Sequence, residues 1–307
     1  MMERDFDMAK KINIVFLGGD RRQYCTADML NKEVFDIGIW GMRALEYALG
    51  DIRFFDSCDE ALENCDCVVF PLPATLDGVM LNSPLLESGD NKKLSYVLEK
   101  IKSGTTVIGG KIPDWFKDSA AEKGIFVEDY YESEAFQVEN AYLTAEAALS
   151  IAMNKLNKSV RDSTFALLGY GRIAKHLAAL LRSIGAEVTV FARKESDLAW
   201  AKAAGCRTEK IDSRADNCLL GRLRGFDVIY NTIPIRILSF PILEEIGRGT
   251  FIIDLASVPG GVDICAAKEL GSNVLWATSL PGKYSPESAG MLIANRIENM
   301  YLPREIL

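Results

Sequence analysis

Residues 165–174, which read Phe-Ala-Leu-Leu-Gly-Tyr-Gly-Arg-Ile-Ala, decide the fold of this chain. An apolar, strand-like run leads directly into the pattern G-x-G-x-x-A, and a helical stretch follows over 175–183. In that pattern Gly169 permits a tight turn, Gly171 lets the backbone approach a pyrophosphate, and Ala174 allows a helix to pack closely on a strand. A second strand-like run, 187–191, completes the β-α-β context that the pattern needs. We therefore predict a dinucleotide site at this turn.

The end of the second strand indicates which dinucleotide binds. An acid here would hold the ribose 2′-hydroxyl of NAD, whereas basic residues suit the 2′-phosphate of NADP. The chain reads Phe-Ala-Arg-Lys over 191–194 and has no acid before Glu195. Arg193 can meet a phosphate through its planar fork, and Lys194 can add a point charge. NADP is the predicted cofactor, and the alternative is a solvated basic pair that opens the next helix.

Two further loops follow strand-like runs of the same domain. Asn-Thr-Ile-Pro at 231–234 and Asp-Leu-Ala-Ser-Val-Pro-Gly-Gly at 254–261 both come at carboxyl ends of strands, where open α/β sheets bind ligands. Ordinary turn chemistry is the alternative, because Pro and Gly dominate turns. We expect the first loop to lie beside the nicotinamide ring. The predicted cofactor-binding residues are Gly169, Tyr170, Gly171, Arg172, Ile173, Arg193, Lys194, Asn231, Thr232, Ile233, Pro234 and Ala256.

Short β-branched runs alternate with helical stretches along nearly all of the 307 residues, which is typical of α/β proteins. Most of these runs are almost continuously apolar, as expected of parallel strands covered on both faces. At about 150 residues per domain, the length favours two domains. We predict two doubly wound parallel-sheet domains with a cleft between them. The predicted strands are 12–17, 35–39, 52–55, 67–70, 105–108, 165–168, 187–191, 227–230, 251–254 and 273–276, and helical stretches separate the first five near 41–49, 91–102 and 113–122.

A long amphipathic helix over 140–157, with Thr144 as its predicted N-cap, marks the domain boundary. We assign 1–150 to an N-terminal α/β domain for substrate or partner, and 151–284 to a Rossmann domain that binds NADP. The final stretch, 285–307, carries a helix over 286–300 that is a candidate to pack back on the first domain.

Composition excludes several classes of protein. The net charge is −8 and no basic run occurs, which argues against nucleic acid and anionic membranes as partners. No apolar run reaches the roughly 18 residues of a spanning helix, and the acidic N-terminus lacks the order of a secretory signal. Seven scattered cysteines indicate reduced thiols and a cytoplasmic location rather than a disulfide framework.

Common catalytic constellations are absent from the sequence. The single histidine, His176, follows the glycine turn, where we expect it to pack or face solvent, so a His–Asp or His–Glu dehydrogenase pair is disfavoured. No zinc-type pattern occurs, and Cys65-Asp-Cys67 indicates buried strand thiols rather than a metal site. Catalytic residues stay unassigned, because the proton acceptor could be Asp, Glu, Lys, Tyr or water.

A second glycine turn, Leu-Gly-Gly-Asp-Arg-Arg-Gln over 17–23, follows the first strand of the chain. It lacks the G-x-G-x-x-G spacing, so we predict no second nucleotide site there. Arg21 and Arg22 at a helix N-terminus would suit a carboxylate-bearing substrate, and solvated surface arginines are the alternative.

With these motifs in place, the chain resembles the A-subunit of dipicolinate synthase from spore-forming bacteria over nearly its whole length. The most specific stretches are the glycine turn that contains Arg22 and the series that begins at Asp254. The matching stretches are Gly18-Gly-Asp-x-Arg22-Gln23, Pro71 with Ala74-Thr75, Asn140-x-x-x-Thr144-x-Glu146, Gly169-x-Gly171-Arg172, Asn231-Thr-Ile-Pro234, Asp254-Leu-Ala-Ser257-x-Pro-Gly-Gly261, Leu280-Pro-Gly282 and Ala289-Gly290.

The resemblance implies the last step of dipicolinate formation in the cytoplasm of a sporulating mother cell. The lysine-pathway intermediate 4-hydroxytetrahydrodipicolinate, or the dihydrodipicolinate that it yields, would be oxidised to pyridine-2,6-dicarboxylate with NADP. The implied partner is a flavoprotein-like B-subunit, and a homo-oligomer is left open. The two substrate carboxylates need cationic or N–H partners, and Arg22 is the first choice. The implied substrate-binding residues are Asp20, Arg22, Thr144, Ser257 and Lys283.

Two departures from the family pattern concern the substrate site. Family members can carry a basic residue where this chain has Val258, and an apolar residue where it has Lys283. Two alternatives to the family function stay open. One is a two-domain amino-acid or 2-hydroxy-acid dehydrogenase, and the other is a non-catalytic subunit that senses the NADP pool.

Overall fold

The computed structural model describes residues 10–42, 51–86, 90–212 and 217–302. The chain divides into two compact units: a first unit, Met1–Gln137 with Pro286–Leu307, and a second unit, Val138–Ser285. Each unit contains one six-stranded sheet in which every described strand pairing is parallel.

The sheet of the first unit has the strand order β3-β2-β1-β4-β5-β6. The order reverses direction between β1 and β4, which defines a topological switch point at their carboxyl ends. Its strands are β1 Ile12–Leu17, β2 Phe35–Trp40, β3 Ile52–Phe54, β4 Cys67–Val69, β5 Thr106–Gly109 and β6 Phe126–Asp129, and its helices are α1 Arg21–Met29, α2 Cys58–Leu62, α3 Leu94–Lys100 and α4 Asp114–Glu122.

The sheet of the second unit repeats this topology with the order β12-β11-β10-β7-β8-β9. The long helix α5, Glu134–Lys155, begins in the first unit and continues into the second. The remaining elements are β7 Thr164–Leu168, α6 Arg172–Ser183, β8 Glu187–Ala192, α7 Glu195–Ala203, β9 Arg207–Lys210, β10 Val228–Asn231, α8 Phe240–Ile246, β11 Phe251–Asp254, α9 Ile264–Leu270, β12 Asn273–Trp276, α10 Leu280–Tyr284 and α11 Pro286–Tyr301.

Both sheets are covered on both faces, which confirms the doubly wound α/β prediction. Alternate residues of the central strands enter different apolar clusters: Ile14 packs on one face of the first sheet and Val15 on the other. In the second sheet, Phe165 and Ala166 divide in the same way. This two-sided burial explains why the central strands read as continuous apolar runs.

Helix α11 packs against α1 in the first unit through a glycine. A Cβ atom on Gly290 would lie 2.7 Å from Cys25 Cβ and 2.9 Å from Thr26 N, so only glycine allows the two helices to approach this closely. The Thr26 hydroxyl donates to the carbonyl of Gly290 at 3.1 Å. The Ala289-Gly290 motif therefore has a packing role.

Three predictions about local structure need correction or comment. The edge strands β6 and β9 were not predicted, because Phe-Val-Glu-Asp and Arg-Thr-Glu-Lys have half of their residues exposed and lack a continuous apolar run. The predicted N-cap role of Thr144 is wrong: α5 begins ten residues earlier, and the Thr144 hydroxyl donates to the carbonyl of Asn140 at 3.0 Å. Threonine can back-bond in this way inside a helix, which a capping pattern does not distinguish. Most of the helical stretch predicted near 41–49 lies outside the described residues.

Candidate active site

The glycine turn of the second unit has the geometry that a pyrophosphate requires. Gly169 has φ +89°, and a Cβ there would lie 2.6 Å from Thr232 Oγ1, so this position needs glycine. Gly171 is the N-cap of α6 and has no side chain that could bond the first-turn amides, and a Cβ on it would meet nothing within 4 Å. Ala174 is fully buried against the sheet. A helix N-terminus without a capping side chain at Gly171, together with the open approach there, therefore fits an anionic dinucleotide.

Two basic side chains lie at the end of β8. The side chains of Arg193 and Lys194 are exposed, and neither side chain forms an ion pair or hydrogen bond within the described parts of the chain. The next residue, Glu195, is paired with Lys210 at 2.6 Å, so its negative charge is already balanced. Both cations are therefore available to a phosphate.

The other residues predicted around the turn play different parts. The Tyr170 side chain is buried, burial raises its pKa, and its ring lies 5.9 Å from Lys175 Nζ. Ile173 packs against the apolar cluster of the second unit, whereas Arg172 is exposed on the first turn of α6. Tyr170 and Ile173 thus stabilise the turn by packing into the apolar interior of the second unit.

A buried polar network joins the two predicted loops. Asn231 Nδ2 donates to Asp254 Oδ1 at 2.7 Å and to the Ile233 carbonyl at 3.1 Å. Asp254 also accepts the backbone N–H groups of Ala256 at 3.1 Å and Gly261 at 2.8 Å. Both side chains are almost completely buried. Asn231 therefore shapes its loop, and the sequence prediction missed Asp254 as its partner although it lies in a matched motif.

Because Asn231 and Asp254 bond to each other, the residues of these loops that remain accessible to a ligand are the exposed and half-buried ones. Thr232 and Ile233 are half-buried and Pro234 is exposed. Ser257 and Val258 are exposed at the tip of the other loop. Ala256 is buried, and its carbonyl accepts the indole N–H of Trp276 at 3.0 Å.

The glycine turn of the first unit is closed by its own side chains. Asp20 caps α1, and Gln23 at N3 accepts the N–H of Asp20, so both halves of a capping box are present. Arg22 is 4 % exposed, its guanidinium holds Asp20 at 2.9 and 2.7 Å, and it also donates to the Leu72 carbonyl. The alternative of a solvated arginine is therefore wrong for Arg22, and Arg21 is exposed.

Among the predicted substrate residues, Asp20 and Arg22 are brought together in the first unit. The other three belong to the second unit: Thr144 is buried in α5, Ser257 is exposed, and Lys283 is exposed on α10.

His176 and two of the cysteines lie in packed surroundings. His176 Nε2 lies 3.1 Å from the Val138 carbonyl, and the imidazole packs edge-on against Tyr142. Within the described ranges, no group of His, Cys, Asp and Glu residues could hold a metal ion. Burial raises the pKa values of Cys58 and Cys67 to about 12, so both thiols stay protonated. No helix in the described part of the chain is long and apolar enough to cross a membrane.

Two parallel six-stranded sheets, one of them with an open G-x-G-x-x-A turn, define the two-domain fold of nicotinamide-dependent dehydrogenases. The fold is matched by L-alanine dehydrogenase with a TM-score of 0.59, 11% identity and coverage of 91% of this chain and 87% of that one. This likeness concerns the fold alone.

More specific similarities point to one family. Residues 13–131 match the family model of the N-terminal domain of the dipicolinate synthase A-subunit. The chain is 26% identical over 294 residues to the dipicolinate synthase A-subunit of Bacillus subtilis, covering 95% of this chain and 97% of the relative. In fold, it matches the crystal structure of the dipicolinate synthase A-subunit from Bacillus halodurans with a TM-score of 0.80, 24% identity and coverage of 96% and 99% of the two chains. The resemblance predicted from the motifs is confirmed, and it supports a dehydrogenase-type role with a nicotinamide dinucleotide.

Proposed function

We propose that this chain is the NADP-binding dehydrogenase subunit of a dipicolinate synthase. The observation that carries the proposal is the glycine turn at Gly171, where no side chain of the N-cap residue covers the helix N-terminus. This turn lies in a chain that aligns over 95% of its length with the dipicolinate synthase A-subunit. The relatives of this chain are named as subunits, which supports a complex with a second component. We propose that this component is the dipicolinate synthase B-subunit and that the complex works in the cytoplasm of the mother cell.

The proposed reaction needs little acid–base machinery. 4-Hydroxytetrahydrodipicolinate loses water to give dihydrodipicolinate, which then loses a hydride and a proton to become aromatic pyridine-2,6-dicarboxylate. Bound NADP⁺ supplies the hydride acceptor. In this proposal the first turn of α6 binds the pyrophosphate, Arg193 and Lys194 bind the 2′-phosphate, and the loop at 231–234 flanks the nicotinamide.

Each unit by itself contains residues proposed for substrate binding. Asp20 and Arg22 lie after β1, beside the switch point of the first sheet, where doubly wound folds bind ligands. From the second unit, Ser257 and Thr144 offer hydroxyl groups and Lys283 offers a positive charge. In this role Lys283 supplies the cation that the loop at Val258 lacks.

Dinucleotide titration tests the cofactor. Arg193→Ala with Lys194→Ala should weaken NADPH binding by about tenfold or more while leaving NADH binding unchanged, since only NADPH has the 2′-phosphate. Binding is measured by energy transfer from tryptophan to the reduced nicotinamide. Lys202→Ala is the matched control, because it removes an exposed cation from the far end of α7. Equal affinity of the wild-type chain for NADPH and NADH would refute the NADP assignment.

A reconstituted assay tests the reaction. The chain mixed with the B-subunit, NADP⁺ and freshly made 4-hydroxytetrahydrodipicolinate should form dipicolinate, measured by its ultraviolet absorbance. Absence of product with intact dinucleotide binding would contradict the proposed reaction. Oxidation of a 2-hydroxy acid or reduction of pyruvate without the B-subunit would favour the other dehydrogenase class instead. Tight dinucleotide binding with no redox turnover at all would favour a sensing subunit.

A further inference from the structure

Asp254 is a buried carboxylate at the carboxyl end of β11, and no cation pairs with it among the described ion pairs. A buried carboxylate is costly unless hydrogen bonds replace its lost hydration. Here three N–H donors do so: Asn231 Nδ2 and the backbone of Ala256 bond Oδ1, and the backbone of Gly261 bonds Oδ2. The position of this carboxylate therefore determines where its three donors lie.

Two of the donors belong to the loop that Asp254 itself begins. The N–H of Ala256 bonds the carboxylate at 3.1 Å and the N–H of Gly261 bonds it at 2.8 Å, so both ends of the loop at 254–261 are held on one side chain. Ser257 and Val258, which lie between these two anchors, are exposed. The conformation of the exposed loop tip therefore depends on a carboxylate that solvent does not reach.

The third donor, Asn231 Nδ2, links the carboxylate to the neighbouring loop. The same amide closes the loop at 231–234, because its Oδ1 accepts the Ile233 N–H at 3.1 Å and its Nδ2 donates to the Ile233 carbonyl at 3.1 Å. A Cβ on Gly261 would lie 2.1 Å from Asn231 Nδ2 and 2.6 Å from the Ile233 carbonyl oxygen, so only glycine lets the two loops approach this closely. One Asn–Asp pair thus shapes both loops.

The loop at 231–234 in turn lies against the glycine turn of the second unit. Thr232 donates its backbone N–H at 2.9 Å and its hydroxyl at 2.8 Å to the carbonyl of Leu168, the residue before the turn. A Cβ on Gly169 would lie 2.6 Å from Thr232 Oγ1. Continuous contacts therefore connect the Asp254 carboxylate to the turn that is proposed to bind the pyrophosphate, and all of these residues belong to one unit.

We propose that Asp254 is a positioning residue for the nicotinamide half of the dinucleotide. Its buried carboxylate acts through the loops at 231–234 and 254–261, whose accessible residues it holds in place beside the glycine turn. This inference rests on the proposed function, in which the first of these loops flanks the nicotinamide. Binding groups are effective only when their own supports hold them to within a fraction of an ångström. Loss of the carboxylate therefore affects the nicotinamide and spares the adenosine end, which the proposal assigns to Arg193 and Lys194.

Asp254→Asn tests this role, because it keeps the shape of the side chain and changes its acceptors. An amide has one acceptor oxygen, and its N–H₂ group must face at least one of the three donors. NADPH affinity of the full chain should fall by about tenfold or more, measured by tryptophan energy transfer. Affinity for adenosine 2′,5′-bisphosphate, which has the adenosine phosphates but no nicotinamide, should stay within about twofold by calorimetry.

A second variant and a matched control separate positioning from folding. Asn231→Ala removes the link between the loops but leaves the bonds within 254–261, so NADPH affinity should again fall more than bisphosphate affinity; this keeps the role testable if Asp254→Asn does not fold. Asp227→Asn is the control, since that carboxylate also accepts a backbone N–H, from Thr164 at 2.7 Å, but at the amino end of β10. It should lower thermal stability and change neither affinity.

The ratio of the two affinities decides the outcome. Equal losses of NADPH and bisphosphate affinity in both variants would mean that the network only maintains the fold, and the positioning role would be wrong. Unchanged NADPH affinity in folded Asp254→Asn would overturn it as well, and so would a wild type that binds NADPH no more tightly than the bisphosphate. In these cases the proposed function stands. A wild-type chain that binds no NADPH would instead refute the proposed function on which this role rests.

Discussion

The two units share one strand order, but the turns after their first strands differ. The turn of the second unit leads into a helix without a capping side chain, whereas the turn of the first unit leads into a helix that is capped by its own side chains. In both units the first strand runs into glycines and then into a helix. In the second unit the N-cap is Gly171, which has no side chain to cap the amides of α6. In the first unit Asp20 and Gln23 close the N-terminus of α1 with a capping box. Identical topology therefore leaves the binding function to a few side chains at the turn.

The amino ends of the same strands show a device that both units keep. Asn13 at the start of β1 donates its N–H to the Asp66 carboxylate at 2.9 Å, and Thr164 at the start of β7 donates to Asp227 at 2.7 Å. In each case the aspartate precedes the strand that lies on the far side of the switch point. The units are thus alike at the amino ends of their strands, where aspartates bond neighbouring strands, and different at the carboxyl ends, where such sheets bind ligands.

The largest expected effect comes from giving the second unit the cap that the first unit has. Gly171→Asp should reduce NADPH affinity by about a hundredfold or more, because the carboxylate occupies the α6 amides and repels the pyrophosphate. The backbone at Gly171, with φ −81° and ψ −168°, suits an aspartate N-cap, so the free energy of unfolding should be unchanged or higher by about 0.3 kcal/mol.

Tryptophan energy transfer and thermal unfolding measure the two effects of Gly171→Asp. Gly171→Ala separates the effect of charge from that of bulk: its methyl group hinders the approach of the pyrophosphate but adds no charge, so it should weaken NADPH binding less than Gly171→Asp does. Undiminished NADPH binding by the aspartate variant would mean that the turn is not the pyrophosphate site.

An intermediate effect is expected from the close contact of α1 with α11. Gly290→Ala should destabilise the first unit by about 1–2 kcal/mol, because its methyl group would press on Cys25 and on the backbone of Thr26. Urea unfolding measures this change. NADPH binding should persist, since the dinucleotide site belongs to the other unit. Ser288→Ala, at an exposed position of the same helix, should leave stability unchanged, and an equal loss in both variants would contradict the packing argument.

The smallest expected effect concerns the aspartates at the amino ends of the strands. Burial raises the pKa of Asp227, but hydrogen bonds from Thr164 and Lys158 outweigh it and hold the pKa below its usual value. Asp227→Asn should therefore cost about 1 kcal/mol at pH 7. Asp66→Asn should cost less, because no cation pairs with that carboxylate among the described ion pairs.

The pH dependence of the Asp227 effect follows from the direction of the shift. Because the folded pKa lies below the unfolded one, the stabilisation is complete above about pH 4 and is lost as the pH falls through the folded pKa. Urea unfolding of the wild type and Asp227→Asn should therefore show a constant difference from pH 7 to 5, which shrinks near pH 4. A difference that stayed constant as the pH fell well below 4, or grew, would exclude the paired carboxylate as its cause.

The sequence by itself determined the fold class, the central strands and the glycine turn. Central strands of a doubly wound sheet are buried on both faces, so each appears in the sequence as a continuous apolar run. Gly169 and Gly171 can be recognised because their role depends on a short, fixed spacing within one turn. The edge strands β6 and β9 could not be predicted in this way, because one side of each strand meets solvent and charged residues interrupt the apolar pattern.

Only the tertiary structure decided which polar groups are occupied and which are free. Asn231 and Asp254 pair because β10 and β11 are neighbours in the sheet. Arg22 is neutralised by Asp20, whereas the buried hydroxyl of Tyr130, more than a hundred residues further along the chain, has no hydrogen-bond partner among the described residues. Sequence patterns record local conformation and burial, but the satisfaction of a hydrogen bond depends on partners that only the packing of distant segments brings together.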